Sequence, residues 1–173
     1  AVEDGATRPV YYESRVIKLD LDNDIVRQLD TEFDALLDAG ATDEQVMRAQ
    51  KDVSRLEQVL SNDATIDSLV RDIIEHYEEN RADHLTGKAM IVALTREVGI
   101  KIYKKILELR PEWTEKVKVV MTASNKDPEE WHDIIGTDAE KKELARKFKD
   151  NDDPRKIAIV RDMWLTGFDV PSL

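Results

Sequence analysis

Residues 157–160, Ile-Ala-Ile-Val, most restrict what this chain can fold into. Four consecutive apolar side chains without alternation fit a strand covered by helices on both faces, as in a parallel sheet. Two further short apolar runs precede it, at residues 89–94 and 116–121, the second carried by Val117, Val119 and Val120. The stretches between them carry helix punctuation. Thr95 caps a helix bearing Val98, Ile102, Ile106, Leu107 and Leu109, which Pro111 ends. Asp127 and Pro128 open another, with Glu130 at the capping-box position. Thr137 and Glu140 repeat that device for a helix ending near Lys149. Strand–helix alternation at this spacing predicts an α/β fold, a three-stranded parallel sheet with right-handed crossovers. Three strands are few, so the sheet reads as incomplete.

Upstream the periodicity is helical. Ile25, Leu29, Phe33, Leu36 and Leu37 form one amphipathic stripe, closed by Gly40, and Thr42 with Gln45 opens a second helix. A third begins near Ala64, with Ile66, Leu69, Val70, Ile73, Ile74 and Tyr77 on its apolar side. Residues 21–86 therefore read as an acidic helical bundle or insertion. Residues 1–20, with Pro9, Val10, Tyr11 and Tyr12, read as an extended connector or edge strand. The formal net charge of −11 is unevenly placed. Residues 1–86 hold 21 acidic and 9 basic side chains, net −12; residues 87–173 hold 16 and 17, net +1. A phosphate backbone would be repelled by the first half and tolerated by the second. With no cysteine, disulfides, thiolate nucleophiles and Cys-based zinc sites are excluded. No apolar run reaches the ~18 residues that a membrane span needs. Beginning without Met and stopping just after a motif-like loop, the sequence reads as part of a longer protein.

Candidate ligand residues gather at the expected strand ends. Arg161 and Asp162 put opposite charges after the last strand, where open α/β sheets place their sites. Thr166, Gly167, Phe168 and Asp169 follow, and Pro171 prevents a regular helix. Gly167 lets the backbone approach a ligand closely or take a positive φ. Asp169 can accept from a hydroxyl or a guanidinium. Thr95, next to Arg96, is either a helix cap alone or a phosphate contact at a helix start. The same two readings apply to Thr122 and the hydroxyl-rich residues up to Asn125. A bare strand followed by Gly-x-Asp is also compatible with a structural turn.

The segment VRDMWLTGFD resembles motif V of superfamily-two helicases, and in detail the motor (R) subunit of type I restriction-modification enzymes, ATP-driven DNA translocases that also cleave DNA. AVEDGATRPVYYESR, IVALTREVGIKIYKKILELRPEW, KVVMTASNKDPEEW and LARKFKDNDDPRKIAIVRDMWLTGFD are similar to the same family. This resemblance implies that residues 87–173 form an incomplete second RecA-like lobe, preceded by a helical insertion. It implies a nucleotide-cleft role for Gly167 and Asp169, and DNA-backbone contacts from Thr95, Arg96, Thr122 and Arg161. Arg161 departs from the wider superfamily, where threonine commonly stands; a guanidinium can make the same contact as a charge-assisted bond. The resemblance further implies ATP and Mg2+ as cofactors of the whole protein, double-stranded DNA and the modification and specificity subunits as partners, no membrane, and a cytoplasmic location. The phosphate-binding loop, the nuclease carboxylates and the arginine-finger motif are expected outside residues 1–173.

Catalytic and metal residues are not expected within the chain itself. Gly87-Lys88 is followed by Ala89 and lacks the upstream glycine of GxxxxGK[ST], so negligible ATPase is expected of these residues alone. His76 and His84 flank Glu79 and Asp83 on a helical stretch, which reads as solvated surface ahead of a metal site. One rival stands beside the motor reading: a non-enzymatic, acidic helical interaction module on an α/β scaffold.

Overall fold

A computed structural model describes residues 60–82, 87–168 and 170. The expected connector at 1–20, the two helices before residue 60, His84, Asp169 and Pro171 lie outside the described residues. The elements run in the order α1 (Asp63–Asn80), β1 (Ala89–Val92), α2 (Arg96–Leu109), a 3-10 turn (Pro111–Thr114), β2 (Val117–Val120), α3 (Glu129–Ile135), α4 (Asp138–Lys149) and β3 (Ile157–Val160). All strand pairs are parallel, and the spatial order is β1-β3-β2. The expected α/β class is therefore the observed one.

Its central place explains the composition of β3: all four residues are buried, flanked by strands on both edges and helices on both faces. On one face Ile157 and Ile159 join Val117, Val119 and Met121 in a core with α1 and α2. On the other, Ala158, Val160 and Val120 pack under Phe148 of α4 and under Val170. β1 departs from expectation. It ends at Val92, and Val92 and Leu94 are 60% and 45% exposed, because an edge strand has a neighbour on one side only.

Local signals place the helices. Thr95 Oγ1 accepts from Val98 N at 3.2 Å, and Thr137 with Glu140 forms a complete capping box. Gly99 lets α2 lie close to the sheet: a Cβ there would stand 2.9 Å from Met121 Cε and 3.3 Å from Ala93 Cβ. The expected box at Asp127 and Glu130 does not form. The cap position of α3 is Pro128, which gives no side-chain bond, and Glu130 pairs instead with Lys104 at 2.9 Å.

α1 falls within the stretch read as the helical insertion, yet Ile66, Val70, Ile74 and Tyr77 belong to the same core as the sheet. The Tyr77 hydroxyl donates to Gly87 O at 2.6 Å, tying the end of α1 to the start of β1. Lys88, fully buried, donates from Nζ to Phe148 O, a carbonyl in the last turn of α4, and to Asn151 Oδ1 at 3.3 Å. After β3 the chain turns sharply. Trp164 adopts φ 65°, and its ring stacks on Phe168 at 4.0 Å, above Phe148.

Candidate functional site

Parallel register brings the strand ends together. Val92 and Val120 both lie opposite Val160, and Ala93 N donates to Val160 O at 2.8 Å. The residues that follow the three strands, Thr95-Arg96, Thr122 and Arg161-Asp162, therefore share the C-terminal edge of the sheet, the edge at which parallel α/β sheets take ligands.

Two carboxylates organise this edge. Asp127 accepts from Ser124 N at 2.7 Å and forms an ion pair with Arg96, whose guanidinium also stands 5.8 Å from the Trp131 ring. The Arg96 bond holds the Asp127 carboxyl below its ordinary value, against the effect of burial and with help from the Ser124 N–H. The Asp127 side chain is only 7% exposed, so this pair is an internal fastening between α2 and the loop after β2. Arg96 Nε is buried without a hydrogen-bond partner among the described residues. Asp162 forms the second link. It accepts from Thr122 N at 3.0 Å through Oδ1 and from the Thr122 hydroxyl through Oδ2. Burial alone would raise the Asp162 carboxyl, but the two Thr122 bonds and the neighbouring Arg161 cation hold it below the usual aspartate value.

The residues singled out in the sequence thus stand in different states. Thr95 is occupied as the cap of α2, Arg96 is paired, and Thr122 is held by Asp162. Arg161 is exposed beside Asp162. Gly167 has φ 69°, the left-handed region that favours glycine, and open space where a Cβ would stand. Asp169 lies outside the described residues. Sequence reasoning gave no role to the Asp162–Thr122 bond, and it assigned Asp127 to a helix cap. Both contacts join residues distant in the chain, and only the strand order brings them into reach.

This arrangement defines an α/β unit whose parallel sheet carries hydrogen-bonding residues and an exposed arginine at its C-terminal edge. Comparison with curated proteins places it more narrowly. Over 171 residues, 98% of this chain, it is 39% identical to a protein of Methanocaldococcus jannaschii described as a type I restriction enzyme MjaIXP endonuclease subunit. Over 179 aligned positions, 99% of the chain, it is 38% identical to the type I restriction enzyme HindI endonuclease subunit of Haemophilus influenzae. The chain is thus homologous, over nearly its whole length, to one segment of type I restriction enzyme endonuclease (R) subunits. It spans 16% of the length of each of these two relatives. No family model and no solved structure matches it.

Proposed function

We propose that this chain contributes part of the second RecA-like lobe of a type I restriction endonuclease subunit, an ATP-dependent DNA translocase that also cleaves DNA. In this reading the sheet's C-terminal edge faces the duplex backbone. Arg161 supplies a charge-assisted bond to a phosphate, Thr122 and Thr95 supply hydroxyl contacts, and Arg96 holds the loop between them. Such contacts position a duplex without reading its sequence, which leaves recognition to a separate specificity subunit. Double-stranded DNA and the modification and specificity subunits are the partners this assigns, and the cytoplasm the location. Among the described residues no helix is long and apolar enough to cross a membrane.

The observation that carries the reading is the shared edge, with Arg161 exposed at the end of the buried central strand. The fit to ATP and Mg2+ is partial. Gly167 sits exposed in a turn with open space over its Cα, which leaves its backbone accessible to a bound group. The described residues contain no group of three His, Cys, Asp or Glu side chains that could hold a metal ion, and the chain has no GxxxxGK[ST] phosphate cradle. Gly167, with Asp169 two residues on, would thus line the cleft while phosphates and metal are held by other parts of the subunit. When bound there, ATP supplies the free energy of hydrolysis that moves the lobes. The scaffold reading draws no support from α1, whose apolar face is buried in the core it shares with α2 and the sheet.

Arg161→Glu in the intact subunit is the test. DNA-stimulated ATPase is expected to collapse while the far-UV circular dichroism and the thermal midpoint stay unchanged. An undiminished ATPase would favour the scaffold reading.

A further inference from the structure

Thr122 offers two donors at an exposed strand end, a backbone N–H and a hydroxyl, and both are taken by the carboxylate of Asp162. Each Asp162 oxygen receives one of them, so the carboxylate binds in a two-pronged fashion. A phosphodiester presents the same acceptors, two unesterified oxygens sharing one negative charge. The two anions cannot occupy the same donors together.

We propose that Asp162 is an internal stand-in for a DNA phosphate, holding the Thr122 donors until a backbone phosphate displaces it. The inference rests on the reading of Thr122 as a DNA-backbone contact. The contrast with Asp127 supports a releasable role. Asp127 is sealed in, with its Arg96 partner clamped beneath Trp131. Asp162 and Thr122 are both exposed, and Asp162 follows β3 outside its hydrogen-bonded ladder. Water can therefore take over the Thr122 donors as the carboxylate leaves, so the exchange needs no buried charge to be exposed unpaired. Arg161, already acting on the Asp162 charge, is adjacent to receive either anion. The device lets a lobe without DNA keep its donors satisfied and set a threshold for phosphate entry, so that the donors favour a phosphate presented together with other backbone contacts.

The test is a double-mutant cycle in the intact subunit, with affinity for a duplex lacking any recognition site read by fluorescence anisotropy. Asp162→Asn, which preserves shape and keeps one acceptor, is expected to tighten binding about three- to fivefold, the range of an exposed charge effect. Asp162→Ser serves as a second variant and should tighten binding in the same direction. Thr122→Val should weaken binding, and in its background Asp162→Asn should lose its effect. If Thr122→Val leaves affinity unchanged, the reading of Thr122 as a DNA contact is wrong. If Thr122→Val weakens binding while both Asp162 variants leave it unchanged or weaker, the stand-in is refuted and the contact reading survives. Equal tightening by Asp162→Asn with and without Thr122 would mark a long-range charge effect, and would likewise overturn the proposal.

Discussion

Arg96 and Asp127 stand 31 residues apart, yet they fasten the start of α2 to the loop after β2 at the sheet's C-terminal edge. The Asp127 carboxyl titrates below its ordinary 3.8, so its contribution to stability is full above that value and is lost as pH falls through the lower folded value. Asp127→Asn should therefore lower the urea midpoint at neutral pH, and the gap from the parent should close in acid well below pH 3.8. A gap that persists in acid would mean the amide fails for a packing reason and not for want of charge. Lys88 has the opposite sense. Burial pushes its ammonium below 10.5, so the unfolded chain holds the proton more tightly, and stability from this group rises as pH climbs towards 10.5. Lys88→Met should remove that alkaline rise. Lys88→Ala also empties a fully buried site and strips a partner from the Phe148 carbonyl, which should cost about 2–4 kcal/mol in denaturant titration.

Between elements, the tightest constraint is the approach of α2 to the sheet at Gly99. A methyl there meets the flexible tip of Met121, which can give way, and stands 3.3 Å from Ala93 Cβ, a small overlap offset by the about 1 kcal/mol of helix propensity that alanine regains. Gly99→Ala should thus be near neutral, whereas Gly99→Leu overpacks the interface and should cost about 1–3 kcal/mol. Paired denaturation curves check both, and equal stability for the two variants would contradict the close contact. At this scale the sequence was informative wherever structure is set by neighbours in the chain. The Thr137–Glu140 box and the Thr95 cap are local devices, and each was legible from two residues at fixed spacing. The box expected at Asp127 and Glu130 was not, because the cap position falls on Pro128 while the fold draws Asp127 to Arg96 and Glu130 to Lys104. The unalternating composition of β3 announced a strand covered on both faces, but strand order is a tertiary fact. Without knowing that β3 lies between β1 and β2, no reading of spacing could join Thr122 to an aspartate 40 residues on. Gly167 was legible as a residue able to take a positive φ, since glycine adopts it without steric cost.

Across the whole molecule, charge limits how the proposed DNA contact could be made. The chain carries −11 in all, with −12 from residues 1–86 and +1 from residues 87–173. In the proposed reading, attraction to a duplex comes from a few cations at the C-terminal edge of the sheet. Of the two arginines at that edge, Arg96 is neutralised by Asp127 and half-buried, which leaves Arg161 as the exposed arginine there, with Lys126 exposed in the loop after β2. Each phosphate neutralised by a protein cation releases condensed counterions and adds about −0.9 to the slope of log affinity against log salt. In the intact subunit, Arg161→Ala should therefore reduce that slope by about one, and weaken binding evenly across duplexes of unrelated sequence. Arg96→Ala should act differently, lowering the urea midpoint while altering the salt slope little, because its charge is already matched. A slope unmoved by Arg161→Ala, or one moved equally by Arg96→Ala, would show that the duplex does not meet this edge through Arg161.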